Sequence, residues 1–133
     1  MEDAGLLIVR MIVGGLFLAH GAQKLFGWFG GAGVSGTAGW FESFDIKPGV
    51  FMAVMVGIIE FLGGLLLAIG LLAPFAAAVL AVTMICAVVK VHWRNGLWNI
   101  YNGYEYNLVL FSVLLLIVLT GAGKYAVDAH FLF

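Results

Sequence analysis

The sequence predicts an all-α membrane protein: an antiparallel four-transmembrane-helix bundle with an interfacial segment between the first two spans and a short interfacial tail at the C-terminus. Three observations predict it. Of the 133 residues, 64% are hydrophobic and only 10% charged, and the mean hydropathy is +1.13, a surface that no soluble domain of this size tolerates. Four apolar segments approach the roughly 20 helical residues that cross a bilayer core. The ionisable residues inside them fall on narrow helical stripes. One four-helix domain, residues 1–133, takes up the whole chain.

The first span runs from Ala4 to Phe26. It has no basic start and ends in His20 and Lys24 rather than a small-residue cleavage site, so it reads as part of the mature protein and not as a signal peptide. Arg10, Gly14, Phe17, Gly21 and Lys24 recur on one helical face, with His20 beside Gly21. The stretch from Gly27 to Pro48 is too broken by glycine to span. Within it Thr37 is expected to cap a short helix that carries Trp40, Phe41 and Phe44 on one side, the pattern of a segment lying in the interface. The same stretch holds Gly31-x-Gly33-x-x-Gly36, a literal match to the dinucleotide fingerprint. No strand precedes it, so no nucleotide unit fits.

The second span, Gly49 to Leu72, places one carboxylate, Glu60, inside an otherwise apolar helix. A charge near the bilayer centre costs about 2.5–3.5 kcal/mol on insertion scales, so Glu60 must face protein and find a partner. Gly57 and Gly64 share its stripe, where a neighbouring helix can approach closely. The third span, Pro74 to Val91, follows through a short turn with proline at its start, where a missing N–H costs nothing. Thr83, Cys86, Ala87 and Lys90 share one of its faces, and Cys86 is expected to be a small buried hydrophobe. Trp93, Trp98, Tyr101, Tyr104 and Tyr106 then form an aromatic belt, with turns at Asn95-Gly96 and Asn102-Gly103. The fourth span is Glu105 to Thr120, and the tail from Lys124 is too short to cross and is expected to lie along the membrane.

Composition narrows the chemistry. Net charge is -1, which gives no footprint for nucleic acid. With a single cysteine the chain forms no internal disulfide, so any thiol chemistry needs a partner's cysteines. No flavin, nucleotide, iron–sulfur or metal motif is present. His20 and His92 approach the same side, but nothing else in the sequence signals haem.

Four spans put both termini on one side and both long loops on the other. Lys24, Lys47, Lys90 and Arg94 gather on the loop side, against Lys124 on the terminal side, so the positive-inside rule favours cytoplasmic loops and external termini. At about 1.5 Å of rise per residue, Glu60 lies ~16 Å from the loop end of its helix and His20 ~9 Å from the loop end of its own. If the stripes converge they line a chamber opening toward the loops with Glu60 at its floor. Glu60, His20 and Glu105 are then the candidate proton relay. Arg10, Lys24, Lys90, His92, Asn107, Trp28 and Trp98 are the candidate ligand-binding residues. Arg10 lies within extended reach of Glu60 or of Asp128, and the plain alternative is that Arg10 with Glu60, and Lys24 or Lys90 with Glu105, are staples that fix helix register.

Arg10 with Phe17, His20-Gly21 and Lys24-Leu25-Phe26 resembles the first helix of the DoxX family of small four-helix membrane proteins. Gly57-x-x-Glu60-x-x-Gly63-Gly64 with Gly70-Leu71 resembles its second. Asn102-Gly103-Tyr104-Glu105-Tyr106 and Gly121-x-Gly123-Lys124-Tyr125-x-x-Asp128 resemble its last helix and tail. The resemblance implies a multi-pass protein of a bacterial or archaeal plasma membrane, described as an oxidoreductase or a subunit of one. Its relatives are linked to thiosulfate:quinone oxidoreduction, to quinone or catechol stress and to thiol-oxidative stress complexes. It supplies no catalytic residue and no bound cofactor.

The functional expectation is a quinone-linked oxidoreductase subunit. His20, Lys24 and Lys90 are placed to donate to quinone carbonyls, Glu60 or Glu105 to relay protons, and Trp28 and Trp98 to stack on the ring. Electrons would come from a soluble or membrane redox partner. The alternatives are a small proton-coupled transporter or lipid or metabolite carrier gated by Glu60, and a membrane scaffold for soluble redox enzymes. Membrane lipids surround any of these, and a homo-oligomer fits all of them.

Overall fold

The computed structural model describes residues 2–98 and 103–128, which are helical with no strand among them. The helices are α1 (Glu2–Phe26), α2 (Gly33–Ser43), α3 (Gly49–Ile69), α4 (Ala73–Ala87) and α5 (Glu105–Thr120). α4 continues through a π turn, Val88–His92, and a 3-10 turn, Trp93–Asn95. Three helices are long and apolar enough to cross a membrane: Glu2–Phe26, Gly49–Ile69 and the continuous Ala73–Asn95. α5 is apolar but has only 16 residues. Large apolar side chains point outward along every long helix, as at Ile12, Ile58, Val82 and Leu119, which suits lipid as the surrounding solvent.

α1 and α3 form the closest pair, and they run antiparallel. Gly14 lies against Gly64 and Ala68, whereas Gly21, two turns further, lies against Gly57 and Phe61. The stripe of small residues is therefore where the two backbones touch. A Cβ on Gly64 would stand 2.5 Å from the carbonyl oxygen of Gly14, with the Leu18 amide pressed on it as well. Gly64→Ala is accordingly expected to destabilise the protein by about 1–3 kcal/mol in detergent unfolding. Gly15→Ala, on the open face where nothing lies within 4 Å, should be neutral or mildly stabilising because alanine is the better helix former. Equal effects at the two sites would refute the close-packing account.

α3 stops at Ile69, before the expected Leu72, because Gly70 takes the left-handed conformation at φ 78 and its N–H and that of Leu71 return to the Leu66 carbonyl at 2.9 Å each. The turn into α4 is held from outside the hairpin. The Asp128 carboxylate accepts the N–H groups of Leu72 at 2.6 Å and Ala73 at 2.8 Å, an N-cap supplied from the C-terminal tail. The tail is thus not laid along the interface through Asp128. It turns at Gly121 and Gly123 and buries Ala122, Ala126 and Asp128 against the bundle; residues 129–133 lie outside the described residues.

Two further expectations need correction. α2 begins at Gly33, and Thr37 is a buried residue in its interior instead of its cap. The third apolar helix does not end at Val91 but runs on to Asn95 through the wider π turn. The main core, from Val13 and Phe17 through Leu67, Leu80, Leu110, Leu114 and Ile117, fills the end of the molecule nearest the termini. A smaller cluster seats α2 on α3 through Ala38, Phe41 and Ala53. α4 packs chiefly on α5 and less extensively on α3, where Leu80 lies on Gly63. The space left between the two clusters is the chamber.

Candidate functional site

A cavity of about 740 Å³ lies between α2, α3, α4, the second half of α1 and the start of α5, within the ~300–1,000 Å³ usual for small-molecule sites. His20, Lys24, Glu60, Lys90, His92 and Asn107 line it. Trp40, Phe41, Met52, Thr83, Cys86 and Tyr106 do so as well.

The floor holds an ion pair, with Lys24 Nζ 2.7 Å from Glu60 Oε1. The staple alternative paired Glu60 with Arg10, and side-chain direction explains why Lys24 takes that place. Helical Cα–Cβ bonds tilt toward their own N-terminus. In the antiparallel pair Gly21 faces Gly57 and Phe61, so Glu60 sits about level with Gly21, four residues short of Lys24. The Lys24 chain leans back along α1 while Glu60 leans the other way, and they meet. Arg10 leans away from Glu60 toward the termini.

There the Arg10 guanidinium is fully buried and donates to the carbonyls of Ala68 at 3.0 Å, Leu67 at 3.4 Å and Tyr125 at 2.7 Å. Arg10 is therefore not a chamber residue. It clamps the C-terminal end of α3 to the tail, and Gly70 leaves room for it: a Cβ there would lie 2.5 Å from Arg10 Nη1.

Beside the ion pair, His20 Nε2 lies 3.1 Å from the Tyr106 hydroxyl, which joins α1 to α5. Tyr106 was expected only in the aromatic belt, yet it completes a second polar pair. Its spacing in α5, adjacent to Asn107 and one turn before Leu110, both buried, is the signal that finds it. Asn107 donates to the Met84 sulfur at 3.5 Å across α4 and α5.

Several expected site residues lie elsewhere. Glu105 opens α5 but does not line the chamber, where Tyr106 and Asn107 take that face. Trp28 is exposed and packs on Phe26, with ring centroids 4.8 Å apart. Trp98 is exposed outside the chamber. The aromatic wall comes instead from Trp40 and Phe41 on α2. Cys86 is not buried but exposed at the chamber wall. Of the belt, Trp93 and Tyr104 stack at 5.5 Å, while Tyr101 and Asn102 lie outside the described residues. Among the described residues, no three of histidine, cysteine, aspartate and glutamate gather to hold a metal ion.

The arrangement is an amphipathic receptacle: the buried Glu60 paired with Lys24, the more exposed His20–Tyr106 pair, the further charged groups Lys90, Lys47 and Asp45, and aromatic and aliphatic surface among them. Residues 5–93 match the model of the DoxX family, and they include α1, α3 and the chamber wall of α4. The chain belongs to the DoxX family. It is 31% identical over 126 residues to "Putative oxidoreductase CatD" of Bacillus subtilis, covering 95% of this chain and 86% of the relative. It is 29% identical over 130 residues to "Inner membrane protein YqjF" of Escherichia coli, covering 96% and 92%. With "Uncharacterized membrane protein Rv3486" of Mycobacterium tuberculosis the identity is 28% over 132 residues, covering 92% and 78%. No solved structure matches it. Within the matched residues, His20, Lys24 and Glu60 build the chamber, whereas Arg10, with Asp128 of the tail beyond them, braces the opposite end.

Proposed function

We propose that this DoxX-family chain is a four-span subunit of a quinone-linked oxidoreductase whose chamber receives the quinone head group. The observation that carries this reading is the 740 Å³ cavity with two polar pairs, His20–Tyr106 and Lys24–Glu60, set into apolar and aromatic walls. A quinone is a flat apolar ring with two carbonyl oxygens, and it needs a donor at each and a hydrocarbon-like slot for the rest. The name of the Bacillus subtilis relative supports redox chemistry.

Reduction to the quinol takes two electrons and two protons. A soluble or membrane redox partner supplies the electrons. The protons pass through this chain's own groups, from the mouth along Lys90 and His92 to the Lys24–Glu60 pair. Tyr106 orients the His20 imidazole, and Trp40 and Phe41 flank the ring.

In this reading α5 is the fourth span. At ~24 Å it is short of a ~30 Å core, a mismatch that local thinning or anchoring by Tyr104 and Tyr106 accommodates. The chain sits in the plasma membrane with its loops cytoplasmic, since Lys47 and Arg94 flank that end against Lys124 at the other; Lys24, paired with Glu60, and Lys90, in the proton route, do not count as orienting charges.

Titration of the purified protein in nanodiscs with a short-chain benzoquinone tests the site. Glu60→Gln and His20→Ala are each expected to weaken binding about 10-fold or more, the loss of one polar partner. No binding by the unaltered protein, or binding indifferent to both changes, would remove the reading.

A further inference from the structure

A second cavity, of about 310 Å³, lies on the other side of the α4–α5 contact and exposes no polar surface. Val88, Trp93, Tyr104, Leu108 and Phe111 line it alone, whereas Met84, Ile85, Val89 and Asn107 line both it and the chamber. We propose that the chamber's ligand is a long-tailed amphiphile whose isoprenoid or alkyl chain leaves between α4 and α5, past Met84 and Asn107, and lies in this groove. The inference rests on the quinone reading and adds where the tail goes.

The π turn is the first support. In an α-helix the residues one turn from Val88 would be Val91 and His92. Here the Trp93 N–H returns to the Val88 carbonyl, so five residues make the turn and Val88 aligns with Trp93. Lys90, Val91 and His92 are left on the chamber side, and Val88 and Trp93 on the groove side. One wide turn sorts the end of the helix into a polar wall and an apolar one.

The septum is the second. Where α4 and α5 separate the two cavities, Met84 and Asn107, which line both, are joined by an amide-to-thioether hydrogen bond at 3.5 Å. Sulfur is a weak acceptor and methionine re-packs easily. When Met84 swings aside, the Asn107 amide is free to donate to a ligand carbonyl while the chain passes. From Met84 to Trp93 the groove follows ~13 Å of helix, and the stacked Trp93–Tyr104 pair closes its end. A hydrocarbon chain suits walls with no polar surface and demands no hydrogen bond of them.

The test uses a benzoquinone with a ten-carbon tail ending in a photoreactive diazirine, beside the same head group without a tail, on full-length protein in nanodiscs. Adducts are expected on the groove residues, above all between Val88 and Trp93 and between Tyr104 and Phe111. Excess unlabelled decyl analogue should remove them, and Val88→Trp or Leu108→Trp should cut them at least fivefold while leaving affinity for the tail-less head group within twofold. If the tail-less quinone binds but adducts fall on the outward faces of α1 and α3, or are unmoved by both groove-filling variants, the tail seat is wrong and the quinone reading stands. If neither analogue binds, the quinone reading falls and takes the tail seat with it.

Discussion

Arg10→Met is expected to destabilise the protein by about 3–5 kcal/mol without changing ligand affinity in the fraction that remains folded. The guanidinium is fully buried, and its two short hydrogen bonds go to the Ala68 carbonyl at the end of α3 and the Tyr125 carbonyl in the tail. Hydrogen bonds from a charged donor contribute about 1.5–3 kcal/mol each, and a buried acceptor left without a partner adds its own penalty. The loss should also spread. Freed from Arg10, the tail holds Asp128 less firmly, and the first N–H groups of α4 lose their cap. Asp128→Ala alone should therefore reproduce only part of the loss, about 1–2 kcal/mol, and the pair of changes should be less than additive, because both act through one docked segment. Arg10→Lys should recover little, since an ammonium on a single stem cannot fork to carbonyls on two elements. Unfolding in detergent reads the stability, and quinone titration of the folded fraction reads the site. Retained stability in Arg10→Met would show that the clamp is incidental. A matching loss of affinity would show that Arg10 reaches the chamber after all.

Arg10 also marks where spacing stops being informative. The sequence places Arg10, Lys24 and Glu60 on inward stripes and makes the small residues the contact between their helices, because periodicity and residue size are local properties. Which cation meets Glu60 depends on the register of α1 against α3 and on the opposite tilt of their side chains, and neither is written in either helix alone. Three-dimensional placement likewise decides the aromatic wall. Trp28 and Trp98 lie at the right depth by residue count, yet the rings that face the cavity belong to α2, whose docking on α3 through Ala38, Phe41 and Ala53 is a long-range event. Tyr106 was hidden for a different reason: at a membrane boundary a tyrosine is expected in any case. Cys86 was assigned to the core by its small apolar character, but its place on α4 falls at the chamber wall, where it is exposed.

The Lys24–Glu60 pair allows stability and function to be separated. Glu60 is 5% exposed and Lys24 19%, so removing one partner does not cost the same from the two sides. Lys24→Met strands a carboxylate deep in the protein, at about 3–5 kcal/mol. Glu60→Leu strands an ammonium on a long, flexible stem, which can extend toward the mouth and regain water, so its cost should be nearer ~1–2 kcal/mol. The double variant Lys24→Met/Glu60→Leu leaves no buried charge and should return to within about 1 kcal/mol of the unaltered protein, as apolar replacements of buried ion pairs often do. If the pair serves only to hold register, quinone binding should return with stability in the double variant. If the pair is the polar end of a site, binding should stay at least tenfold weaker in a protein that is again stable. The asymmetry between the singles is a separate check on depth: equal costs would mean that Lys24 is as enclosed as Glu60, and the chamber would then lack an open path from its mouth to the acid that the proton route requires.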